Sequence, residues 1–164
     1  MEAYYGRTGP ASRAYRGSGD ITMTLYGDVG RALIYGVHAK WLFNIVAHKP
    51  HRCGGVLIGV LEPLKGIEIM KNFRKTDNLF QLANGPGRLT EAMVINKSLH
   101  KKLVYLKNSK ITIKEGRKEE NIARSFRIGG KKDLDIPLRF YLKGCRSISA
   151  RKKTMGEDPE EQVP

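Results

Sequence analysis

Two cysteines, one tryptophan and 16 acidic side chains are what this 164-residue chain is short of. Cys53 and Cys145 stand far apart, each beside a glycine, with no paired spacing. That excludes a disulfide framework and offers neither a zinc motif nor a redox pair. No apolar run approaches the roughly 20 residues of a membrane span, and no apolar leader opens the chain. An intracellular protein without metal or cofactor is therefore expected. The shortage of acid is the most telling: 30 Lys and Arg leave a net charge of +14, beyond the magnitude of roughly 2–8 that keeps a small domain soluble. An anionic partner follows. Nucleic acid comes ahead of a membrane surface, because no basic amphipathic helix stands out.

The length fits one domain with a real core. We place it over residues 1–150, followed by a polar tail over 151–164 with a basic start and an acidic end, expected to be disordered. The expected fold class is α+β, with a curved, mainly antiparallel sheet and peripheral helices. Its organising stretch is Gly30 to Asn44. Two β-favouring runs, Ala32 to Val37 and Trp41 to Ala47, flank His38-Ala39-Lys40, which predicts a hairpin with a short turn or bulge. Tyr35, His38 and Asn44 are polar equipment in apolar company. Such a set could pack and bond within the sheet, or it could hold an unstacked base.

Upstream, Gly6 to Asp20 is rich in glycine and arginine and poor in aliphatics, and reads as a long loop. Downstream, Gly55 to Leu61 suits a central strand, with Gly59 as a point of weakness or close approach. Pro63 predicts a helix start, with Ile67, Met70 and Phe73 on one face up to Lys75-Thr76-Asp77. Asn84-Gly85-Pro86-Gly87 is a dense turn, and Arg88 to Met93 a short helix whose free backbone N–H groups suit a phosphate. Further strands are expected at 111–114, 122–128 and 138–142. Glu115-Gly116-Arg117 and the basic Gly129 to Lys132 read as turns between them.

Read together, Glu2-Ala3-Tyr4-Tyr5-Gly6, Leu57 to Leu64, Leu82 to Leu89 and Pro137 to Tyr141, with the hairpin, resemble the alkyladenine (3-methyladenine) DNA glycosylase family over roughly residues 2–150. Val37 to Asn44 has the archaeal and bacterial form. The resemblance implies a monomeric enzyme of base-excision repair that acts on damaged purines in double-stranded DNA. It would flip the base out and hydrolyse the N-glycosidic bond without a metal. It puts Glu2 on the water-activating carboxylate, Tyr4 and Tyr35 on the stacking rings, Asn44 on the wall that screens exocyclic amines and His38 on the intercalating wedge. Arg13 stands where animal members have a histidine that orients the flipped nucleotide, and is grouped with Gly87, Arg88, Arg127, Lys131 and Lys132 as contacts to the DNA backbone. Two departures accompany the match. Gly59 replaces an arginine expected near the catalytic water. Relatives begin well upstream, so Glu2 is expected on an unanchored end. Two other readings remain open: a DNA-binding remnant of the family that has lost catalysis, and a small basic RNA-binding protein.

Overall fold

The computed structural model describes residues 1–128 and 132–148, so the expected tail lies outside the described residues. Six strands form one antiparallel sheet: β1 (Glu2–Tyr4), β2 (Ala32–Val37), β3 (Lys40–Val46), β4 (Gly55–Leu57), β5 (Ile122–Ser125) and β6 (Arg139–Leu142), in the spatial order β2-β3-β4-β1-β6-β5. Among the described residues three short α-helices accompany it: α1 (Asp20–Tyr26), α2 (Ile67–Arg74) and α3 (Pro86–Ala92). The class is α+β, as expected.

The β2–β3 hairpin closes through two residues, His38 and Ala39, with φ of 48° and 59°. Positive φ at both central positions marks the turn whose twist matches that of the strands. Lys40 therefore belongs to β3 and pairs with Val37, one residue earlier than expected. Ala32, Leu33 and Ile34 are all buried, because both faces of the hairpin are covered. Ala32, Ile34 and Phe43 join Ile58, Leu89 and Ala92 beneath α3. On the opposite face, Leu33 and Val46 pack with Ala14 and Leu25 of the α1 side. Ala14 makes the glycine-rich loop part of the core, contrary to its sparse composition, and α1 directly follows that loop.

Several predicted boundaries move. β4 ends at Leu57, although the Ile58 amide still donates to Phe43 at 3.0 Å and Leu61 to Ala83 at 3.2 Å. The helix after Pro63 starts only beyond Gly66, which has φ 71°. Its Phe73 is exposed. α3 starts at Pro86, whose missing N–H costs nothing in the first turn. Residues 111–114 form no strand: Ile111 reaches the core and the Ile113 amide donates to Val104. β5 stops at Ser125, where the chain turns inward.

The largest correction concerns the start of the chain. β1 is an interior strand, hydrogen-bonded to β4 on one side and β6 on the other. The Met1 amino group donates to the Phe140 carbonyl at 2.8 Å, and the Phe140 amide returns a bond to Met1 at 2.9 Å. Glu2 is held, not loose.

Candidate functional site

Antiparallel register decides which side chains meet. Leu33 pairs with Asn44, Asn44 with Leu57, Leu57 with Glu2, and Glu2 with Arg139. Directly paired residues project to the same face, so Asn44 and Glu2 share a row with only Leu57 between them, two strand spacings or roughly 10 Å apart. Two residues along their strands, Tyr4 and Tyr35 fall on that same face. Glu2, Tyr4, Tyr35 and Leu57 border a cleft of about 1150 Å³, which also takes in Arg13, His38, Gly59 and Lys132. The walls are mainly apolar, with a few polar groups placed among them, the usual make-up of a small-molecule or base pocket.

Glu2 is only 8% exposed. Its Oε2 accepts from the Tyr4 hydroxyl at 2.8 Å and its Oε1 from the Ile128 amide at 3.0 Å. Each oxygen keeps a lone pair for another donor. Burial first, then the charge of Glu2 and the bond to it, push the Tyr4 hydroxyl far above the ordinary phenol value. Tyr4 therefore stays protonated and keeps donating to the carboxylate. Burial likewise raises the Tyr35 hydroxyl, opposed by Arg13 and Asn44 beside it. Asn44 is 4% exposed and donates from Nδ2 to the Leu33 carbonyl at 3.3 Å, so its amide is held against the sheet.

His38 is exposed at the hairpin tip, in left-handed backbone, on the rim of the cleft. The helix α3 braces the strand beside it. Thr90 Oγ1 donates to the Trp41 carbonyl at 2.8 Å, and Glu91 pairs with Lys40 and Arg74. Gly87 allows this contact: a Cβ there would lie 3.0 Å from Lys40 Cβ. Arg88 is exposed and donates to Asn84 Oδ1 at 2.8 Å. Lys132 is exposed at the cleft, and Lys131 lies outside the described residues.

Two arginines are not where a backbone contact would stand. Arg127 has a side chain 2% exposed; it forms a two-pronged pair with Asp133, donates to the Ala3 carbonyl and lies 4.3 Å from the Tyr4 ring centre. Its donors are turned into the protein, so the expected phosphate contact is replaced by a brace under β1. Arg13 is exposed, but its guanidinium sits over the Tyr35 ring at 5.3 Å. It belongs to the cleft.

Sequence reasoning passed over the Ile128 amide and Arg139. The first is a backbone group and carries no side-chain signal. Arg139, 6% exposed and paired in register with Glu2, stands in a quoted motif, but only the strand pairing assigns it to the cleft.

Comparison with known proteins shows the family. The methylpurine-DNA glycosylase family model matches residues 1–146. A protein of Aeropyrum pernix, named by inference as a 3-methyladenine DNA glycosylase, is 41% identical over 151 residues, covering 90% of this chain and 73% of the relative. Proteins with the same description from Methanoculleus marisnigri and Carboxydothermus hydrogenoformans are 36% and 37% identical over 159 residues, each covering 92% of this chain and 80% and 79% of their own length. The register row joining Glu2 to Asn44 therefore lies within the matched region, and the chain belongs to the methylpurine-DNA glycosylase family.

Proposed function

We propose that this chain repairs DNA by binding duplexes that carry a damaged purine, turning that nucleotide into the cleft and hydrolysing its N-glycosidic bond with a water activated by Glu2. The observation that carries the reading is the fixed carboxylate: Glu2 is buried, held at both oxygens and placed on the same face as Tyr4, Tyr35 and Asn44. The base would rest against Tyr4 and Tyr35, with Asn44 as the wall that rejects an unsuitable amine. His38 would fill the gap left in the stack. As the bond from C1′ to the base nitrogen breaks, positive charge develops on the sugar. Glu2 stabilises that charge and takes a proton from water, whose oxygen bonds to C1′ while the base leaves with the bonding electrons. Arg88, Lys132 and the surplus of positive charge would face the phosphates.

The test is Glu2→Gln, assayed by single-turnover release of base from a lesion-bearing duplex with enzyme in excess. The amide keeps the shape of the carboxylate but takes no proton from water. Base release should fall by about 10²- to 10⁴-fold, while lesion binding stays within about twofold. Undiminished release would remove Glu2 as the base. Lesion binding without release by the native chain would favour the non-catalytic remnant, for which Gly59 is the specific pointer: a Cβ there would meet nothing within 4 Å, so this side of the cleft is open where an arginine was expected.

A further inference from the structure

The outer edge of β2 is sealed partly by side chains. Its first outward backbone groups pair with the segment that follows α3: the Ala32 amide donates to the Lys102 carbonyl at 2.8 Å, and the Lys101 amide to the Ala32 carbonyl at 2.7 Å. Two residues on, at Ile34, the next outward pair falls, and there side chains take over. His100 Nδ1 accepts from the Ile34 amide at 3.1 Å, and Lys97 Nζ donates to the Ile34 carbonyl at 3.4 Å. Among the described residues nothing bonds the outward groups of Gly36, the next in the series. Burial stops at the same place: Ile34 is buried, Tyr35 half-buried, and Gly36 and His38 exposed. Ile34 is thus the last position anchored on this edge before Tyr35 and His38 at the cleft. What holds Ile34 sets how firmly both are carried.

The anchor works in only one protonation state. The His100 side chain is 6% exposed, and its Nε2 meets Asp20 Oδ2 at 2.8 Å. An Nε2–H that donates to the carboxylate leaves on Nδ1 the lone pair that the Ile34 amide needs. A second proton, taken from solvent onto Nδ1, would set donor against donor and break that bond. The charged groups that face the ring are Asp20 from α1, and Lys97 and Lys101 from its own segment; β2 brings only the Ile34 amide. Burial is the main cause that lowers the His100 pKa; the bond to Asp20 opposes it, and the two lysines add to the lowering. The ring is therefore neutral at pH 7.

We propose that His100 is a positioning residue of the repair reaction: its neutral ring holds β2 at Ile34 so that Tyr35 and His38 meet the flipped nucleotide and the gap it leaves, and lesion recognition weakens when the ring is protonated. The proposal rests on the glycosylase reading above and adds to it a control by pH from outside the cleft.

The test compares binding to two duplexes, one intact and one carrying a tetrahydrofuran abasic analogue, which has no base to titrate. Affinities are measured in steps from about pH 8 to about pH 5, the range in which histidine titrates, at constant ionic strength and wherever circular dichroism shows the chain folded. Their ratio cancels the phosphate contacts common to both. For the native chain the preference for the abasic duplex should fall by about tenfold on acidification, the factor that one lost buried hydrogen bond carries. His100→Asn puts an oxygen where Nδ1 stands and takes up no proton, so its preference should stay high and flat. His100→Gln, whose longer amide reaches Asp20 but leaves Ile34 unbonded, should stay low and flat; the native and His100→Asn profiles decide even if this variant does not fold. A native preference independent of pH, or one that falls equally in His100→Asn because His38 is the group that titrates, would overturn the role of His100 alone. Equal binding of both duplexes by the native chain at every pH would overturn the glycosylase reading and this inference with it.

Discussion

Replacing Arg127 with Met separates two accounts of that side chain. The structure gives Arg127 four attachments: both oxygens of Asp133, the Ala3 carbonyl and the face of Tyr4. Methionine is similar in length but supplies no donors. Removing one member of a buried ion pair typically costs about 3–5 kcal/mol, because the remaining charge and acceptors lose their partner. The Asp133 side chain is 20% exposed and keeps a bond from the Leu134 amide, so the lower end, about 3 kcal/mol, applies. For a domain of this size that corresponds to a drop in thermal midpoint of roughly 6–12 °C. Lesion affinity should fall with it, because Tyr4 and Glu2 lose the brace beneath β1. The assay pairs thermal unfolding with DNA binding across a salt series. A phosphate-binding arginine would behave in the opposite way: the slope of log affinity against log salt would become shallower by about 0.9, and the midpoint would hardly move. That result would refute the buried-brace assignment.

Two further expectations follow from particular contacts. His38→Ala should weaken binding to a duplex with an abasic or modified nucleotide by about 1–3 kcal/mol, as for loss of a stacked ring, and bind intact duplex nearly as before; equal losses on both would make His38 a phosphate contact. Acid should destabilise the fold in two windows. His100 accepts the Ile34 amide at Nδ1 and bonds Asp20 through Nε2, so a second proton has no room. Burial is the main cause that lowers its pKa, with Lys97 and Lys101 acting the same way, and the hydrogen bond to Asp20 opposes them. Stability from the neutral ring is present above about pH 6.5 and is lost as pH falls through the lower folded value. Asp20, held down to about 2 by hydrogen bonds from Lys101 and His100, contributes above its unfolded value and loses that only as pH approaches 2. Urea titrations of the native chain and His100→Gln should differ in the upper window; identical profiles would remove His100 as its source.

What was legible in the sequence was local. The hairpin shows in two β-favouring runs, and the helix α3 in Pro86 after a glycine. The sequence suggests a turn one residue too long because His38 and Ala39 are poor signals for positive φ, where Asn-Gly would mark it. The anchoring of Glu2 was illegible, since a three-residue strand reveals nothing of partners at Gly55–Leu57 and Arg139. Arg127 reads as a phosphate contact for the same reason: beside a basic turn it looks solvated, and only the fold brings Ala3 and Tyr4 to it. Residues 111–114 have strand composition, but the only backbone-to-backbone bond they make among the described residues is from the Ile113 amide to Val104, so no ladder forms.

The interior position of β1 also fixes when the site can exist during synthesis. Glu2 leaves the ribosome long before its amide partner Ile128, which is separated from it by 126 positions, and its strand neighbour Arg139 emerges later still. At about 5–20 residues per second, the carboxylate waits roughly 6–30 s for its surroundings. Until then the nascent chain has the positive charge to meet DNA but no assembled cleft, and closing so long a loop places this contact among the slower steps of folding. The pairing that completes the sheet is also the one that completes the base pocket, so a truncated product carries neither.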